Sequence, residues 1–139
     1  MGGILGFSRS FIQLVMEVKT NTKEKFHVIE VTAPHLSANM TEEFCNLLQQ
    51  HLQDTPRNIV LNLKDVKIID EEAAECLVQS QQKFYESGAS FVICELHKDV
   101  ERFLDEMNLL ELMNVTPTES EAGDIVQMEE IERELLDEE

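Results

Sequence analysis

Asp70, Glu71, Glu72 and Glu75 are the residues whose types and spacing come closest to doing chemistry. Glu71 and Glu75 stand at i, i+4, which puts both carboxylates on one face of a helix, and Asp70 is adjacent. Paired carboxylates can serve acid–base work or hold a divalent cation. Either use needs further groups, and the sequence supplies no candidate nucleophile, no Gly-rich phosphate loop and no second ligand cluster. Gly2-Gly3 is not a phosphate loop. His27, His35, His51 and His97 are scattered without metal-ligand spacing and read as surface or half-buried histidines. The expectation is a protein that is not an enzyme and that uses no metal and no cofactor.

The run from Asn58 to Ala74 must position these acids. Ile59, Leu61 and Leu63 alternate with Val60 and Asn62, the period-two pattern of a buried strand. Asp70 can then cap a helix with Glu71 and Glu72 in its first turn and an apolar face starting at Ala73, Ala74, Leu77 and Val78. Unpaired N–H groups and the dipole make a helix start attractive to anions. Here the chain's own carboxylates occupy that place. The plainest reading is dipole complementation, about 0.3–1 kcal/mol each.

Composition narrows the partners. A net charge of −17 argues against nucleic acid or anionic lipid, which need Lys and Arg to neutralise them. It favours a protein partner with a basic surface. The residues from Glu119 onward carry ten acids against Arg133, a net −9. No apolar run approaches the roughly 20 residues of a membrane span, so no membrane insertion is expected. Cys45, Cys76 and Cys94 are odd in number and fit no pairing motif; they read as reduced, mostly buried thiols of a cytoplasmic protein.

Residues 1–15 read as an N-terminal extension, flexible or docked on the surface. They make a poor signal peptide and a poor myristoylation site, and Met16 is a candidate true start. Residues 16–139 read as one domain. Met16–Thr20 and Phe26–Thr32 suit an antiparallel hairpin, and Pro34 breaks the ladder into a loop through Asn39. A helix follows from about Met40 to Gln53, capped by Asn39 or Thr41, with Met40, Phe44, Leu47, Leu48, His51 and Leu52 on one face. After the central strand, the helix Glu71–Glu86 buries Leu77, Val78, Phe84 and Tyr85, and ends on Gly88. Phe91–Leu96 is a strand. Asp99 caps a third helix that stops at Asn108, and an extended piece follows near Asn114–Thr116. Thr118-Glu119-Ser120-Glu121 is a capping box for a last acidic helix whose stripe Ile125, Met128, Ile131, Leu135 reads as core packing, or otherwise as a partner or dimer face. The fold class is therefore α/β, a mixed sheet of four to five strands with about four helices. An antiparallel hairpin comes first, then parallel crossovers.

Several segments in this order resemble the STAS domain: Ile59–Leu63, Asp70-Glu71-Glu72-Ala73, Gly88, Phe91–Leu96, Asn108-Leu109 and Thr116-Pro117-Thr118. That family includes bacterial anti-sigma factor antagonists, stressosome components and cytosolic domains of anion transporters. Its pattern is an apolar strand, then Asp-Ser-Ser-Gly at a helix start. Here Asp70 keeps the motif Asp, Glu71 matches the serine that phospho-regulated members use, Glu72 the second serine and Ala73 the glycine. Asn62 replaces the common strand Asp.

The resemblance implies a non-catalytic regulatory interaction module, acting by surface competition on a kinase-like anti-sigma factor in transcription regulation by partner switching. The implied contact surface is Pro34, His35, Ser37 and Asn39 in the loop with Asp70, Glu71, Glu72, Ala73 and Glu75 at the helix. A phosphoserine brings about −1.5 to −2 charges and a glutamate one, so Glu71 with Glu72 approximates a fixed phospho-like state. The alternative is a STAS subunit of a transport complex or larger STAS assembly, docking on an ATPase and not phospho-switched. A second copy of the chain is a further candidate partner, and a small-ligand sensor the weakest idea.

Overall fold

The hairpin forms first in chain order, by β1 (Val18–Thr22) and β2 (Phe26–Val31), with Thr22 opposite His27 and Val18 opposite Val31. These assignments come from a computed structural model, which describes residues 17–137. The expected extension 1–15 and the candidate start at Met16 lie outside the described residues.

Parallel strands β4 (Asn58–Asn62), β6 (Phe91–Cys94) and β7 (Val115–Thr116) continue the sheet in the order β1-β2-β4-β6-β7. All five residues of β4 are buried, because helices cover both faces of the sheet. One face packs Ile29, Ile59, Leu61 and Ile93 against α1 (Thr41–Gln50), α2 (Glu71–Glu86) and α3 (Lys98–Glu106) through Phe44, Leu48, Leu77, Phe84 and Leu104. The other packs Val28, Val60 and Val92 against Ala122 and Val126 of α4 (Glu119–Asp137). Gly123 keeps that contact close: a Cβ there would stand 3.0 Å from the Phe26 ring.

Helix ends follow the expected signals in part. Gly88 has φ +71° and Asn108 φ 60°, the left-handed values expected after these helices. Thr118 Oγ1 accepts from Glu121 N at 3.2 Å, one arm of the capping box. Two expected caps differ. His97, not Asp99, caps α3, its Nδ1 accepting from Asp99 N at 3.3 Å. Met40 occupies the cap position of α1, since a 3-10 turn (Ala38–Met40) delivers the chain already wound; a second 3-10 turn (His51–Gln53) extends its far end. Tyr85 is 77% exposed, not buried: the face of α2 that meets the sheet is set by Leu77 and Phe84, and Tyr85 points past it.

Three larger corrections concern packing. The loop after Pro34 contains β3 (His35–Leu36), which pairs parallel with β5 (Ile68–Ile69) as a separate two-stranded sheet. The stripe on the last helix is largely exposed at Met128, Ile131 and Leu135, so it is not core packing. The inward row is Ala122, Val126, Glu130 and Arg133, at helical spacing. Its second half is polar because it meets Asn58 and Ser90 at the end of the sheet: Asn58 Nδ2 donates to Glu130 at 2.7 Å and Arg133 donates to Ser90 Oγ at 3.1 Å. Finally, Cys45 and Cys76 are joined in a disulfide across α1 and α2, with Cα atoms 5.9 Å apart, so only Cys94 is a free thiol. Helix packing brings together two cysteines 31 residues apart, which no local spacing could show. The histidines are not all scattered either: the rings of His27 and His51 lie 4.7 Å apart.

Candidate functional site

β5 is two residues long and ends directly on Asp70, so the start of α2 is fixed by its pairing with β3. Lys67 N and Ile68 N donate to Pro34 O at 2.8 and 3.2 Å, and Asp70 N donates to Leu36 O at 3.0 Å. Buried Leu36 and Ile69 pin the pair to the core.

The Asp70 side chain does not cap its own helix. Its Oδ2 accepts from Ala38 N at 2.8 Å and its Oδ1 lies 2.7 Å from His35 Nε2. The carboxylate thus satisfies the start of the neighbouring 3-10 turn and latches the loop to α2. The His35 hydrogen bond, then that of Ala38, holds the Asp70 carboxyl below its ordinary range, against a smaller opposing effect of burial. Asp70 is a structural latch, and Glu71, Glu72 and Glu75 are exposed.

The other expected contact residues divide. Pro34, His35 and Asn39 are exposed on the same end of the molecule, and Ser37 is half-buried, its carbonyl accepting from Thr41 Oγ1 at 3.2 Å. Ala73 is 2% exposed and belongs to the core, so it offers no contact surface. Its small side chain faces inward because the first turn of α2 lies directly on the sheet's helical layer.

Two flanking hollows were not legible in the sequence. One, of 400 Å³, runs between α1 and α2 along Glu42, Cys45, Glu72, Glu75 and Cys76. The other, an open cleft of 650 Å³, lies between the α2 start and α3, lined by Lys67, Ile68, Glu71, Asp99 and Phe103. Ile68 is 57% exposed there. Its signal was the doubled Ile68-Ile69, one apolar residue more than a two-residue edge needs.

The free thiol lies away from this end. Cys94 is fully buried, and burial, then Glu119 and Glu95, push its thiol up to about 12. Glu95 is occupied in accepting from Glu119 N at 2.9 Å. The arrangement can present negative charge around a cleft in which Ile68 and Phe103 stand among charged side chains.

Comparison with known proteins agrees with this fold. A family model for the STAS domain matches residues 17–122. The fold is similar to an anti-sigma-factor antagonist (STAS) domain protein from Planctomyces limnophilus, with a TM-score of 0.66 and 18% identity over 76% of this chain and 93% of that one. It is similar to a serine-to-glutamate variant of RsbS from Moorella thermoacetica, with a TM-score of 0.66 and 17% identity over 79% and 94%. It also matches part of the murine Slc26a9 anion transporter in the inward-facing state, with a TM-score of 0.68 and 13% identity over 91% of this chain and 25% of that one. At these identities the likeness is one of fold.

Proposed function

The chain belongs to the STAS domain family, and from that premise we propose that it is a non-catalytic regulatory module of the anti-sigma factor antagonist type, which binds a kinase-like anti-sigma factor in the cytoplasm. The observation that carries this reading is the division of labour at the α2 start. Asp70 is consumed in fixing the loop, while the exposed Glu71 and Glu72 line a cleft that also holds the exposed Ile68. Pro34, His35, Ser37 and Asn39 flank them as the rest of the docking surface, with Glu75 one turn on.

Glu71 stands where phospho-regulated relatives carry serine, so the charge is permanent. The module resembles a fixed phospho-like state and competes for its partner without being switched at this position. Incubation with a cognate kinase and ATP should leave its mass unchanged. Glu71→Ser should then either accept one phosphate or change partner affinity. If Glu71→Ser and Glu71→Ala both bind the partner as the parent does and neither gains phosphate, Glu71 is a helix-dipole residue and the reading fails.

The fold match to an anion transporter favours a second reading, a STAS subunit of a transport complex or larger STAS assembly that docks on an ATPase. A pull-down separates the two: recovery of a kinase-like anti-sigma factor supports the first, and recovery of a transporter ATPase supports the second.

A further inference from the structure

His27, His51 and Asp54 converge at the end of the sheet opposite the α2 start. His27 is the second residue of β2, opposite Ile59 across the parallel pair, and His51 and Asp54 lie where the chain leaves α1 for β4. One donor atom from each side chain lies within 4.8 Å of the other two. His27 is only 8% exposed. Thr22 Oγ1, 2.9 Å away, engages its Nδ1. That leaves Nε2, which is buried and has no hydrogen-bond partner among the described residues. Nδ1 of His51 is also buried, with Asp54 Oδ2 2.8 Å away.

A buried imidazole nitrogen without a partner is costly, and most such atoms in folded proteins are satisfied. His27 Nε2 is such an atom, and with His51 Nδ1 and the Asp54 carboxylate it completes a donor set that one metal ion would satisfy. We propose that His27 Nε2, His51 Nδ1 and a carboxylate oxygen of Asp54 form a Zn²⁺ site that ties the start of β2 to the end of α1. Two imidazoles and one carboxylate suit Zn²⁺, whereas Mg²⁺ and Ca²⁺ take oxygen. Tetrahedral bonds of about 2.0–2.2 Å put donors roughly 3.4 Å apart; His51 Nδ1 and Asp54 Oδ2, 2.8 Å apart, would part slightly, and the group as a whole, within 4.8 Å, would draw in. Asp54 is exposed and gives the ion a route from solvent. Thr22 fixes the ring that offers Nε2, the part that carboxylates and carbonyls play beside metal-bound histidines. The site lies away from the acidic helix start and does not depend on the partner proposed above.

Isothermal titration of the full chain with Zn²⁺ tests this, alongside His51→Gln and Asp54→Asn. Neither variant touches the fully buried core, and His27 is left intact because its loss could unfold the protein. We expect one ion per chain and at least a tenfold loss of affinity in both variants, with Zn²⁺ raising the melting temperature of the parent alone. The proposal is overturned if no ion binds, if either variant binds as the parent does (which would place the ion on the acidic surface), or if millimolar Mg²⁺ displaces the Zn²⁺.

Discussion

Leu36→Ala tests whether the loop and the α2 start form one preassembled surface. Leu36 is 1% exposed, and it is the inward residue of β3, opposite Ile69. The substitution removes three carbons, and at about 0.8 kcal/mol per buried carbon the transfer loss is roughly 2.4 kcal/mol. A rigid site would add a cavity cost toward the upper end of the observed range of about 2–5 kcal/mol. β3 and β5 are each two residues long, so their surroundings can partly collapse, and we expect about 2.5–3.5 kcal/mol. Urea unfolding gives the global value. Amide exchange gives the local one: Lys67, Ile68 and Asp70 donate to Pro34 and Leu36 carbonyls, and they should lose protection before the strands of the main sheet do. A loss below about 1 kcal/mol with unchanged exchange at those amides would refute the claim that Leu36 holds the surface together.

The remaining predictions concern the latch, the cross-link and one turn. Because the Asp70 carboxyl is held below its usual 3.8, its contribution is full above that value and fades as pH falls through the folded-state value; the parent and Asp70→Asn should therefore differ in urea midpoint at pH 6 and converge at strongly acid pH. Denatured, unreduced protein should show one reactive thiol, Cys94, and three after reduction. Reducing the Cys45–Cys76 bridge, which closes a separation of 31 residues, should cost roughly 3.7 kcal/mol by loop entropy, read as a lower urea midpoint; equal midpoints would refute a bridge in solution. Gly88→Ala forces a side chain onto φ +71° and should cost about 1–2 kcal/mol, although the nearest atom to the new Cβ, on Arg57, is a comfortable 3.8 Å away.

The features legible in the sequence were those encoded locally. Apolar β4, the α2 span Glu71–Glu86, and the left-handed exits at Gly88 and Asn108 depend on near neighbours, and the structure has them where the pattern put them. What escaped depends on contacts between distant segments. The Asp70 carboxylate had two possible uses, its own helix start or a neighbour's, and only the arrival of Ala38 and His35 beside it decides. Cys45 meets Cys76, and His27 meets His51, through the packing of α1 on its neighbours. The stripe on α4 misled for a related reason. Its apolar residues keep helical spacing, but the sheet accepts the small Ala122 and Gly123 at close range and then offers Asn58 and Ser90. The helix is therefore rotated to bring Glu130 and Arg133 inward, leaving Met128 and Ile131 outside.

Fixed charge alone is a weak determinant of docking at this surface. Two unit charges 4 Å apart in water attract by about 1 kcal/mol, roughly a fivefold effect on affinity, and physiological salt reduces it further. Burying a large aliphatic side chain contributes about 1.5–3 kcal/mol, and Ile68 still has more than half of its surface to give. For Ile68 that is on the order of 0.9–1.7 kcal/mol, comparable with what Glu71 and Glu72 supply together, so burial adds affinity while the charges set orientation and discrimination. On the proposed reading, such burial would let the chain dock without a reversible phosphate. A phosphate of about −1.5 to −2 charges changes affinity steeply when it comes and goes, whereas a constant carboxylate only sets the level. If the proposed reading holds, the control would lie in the amount of the module present or in something acting elsewhere on it.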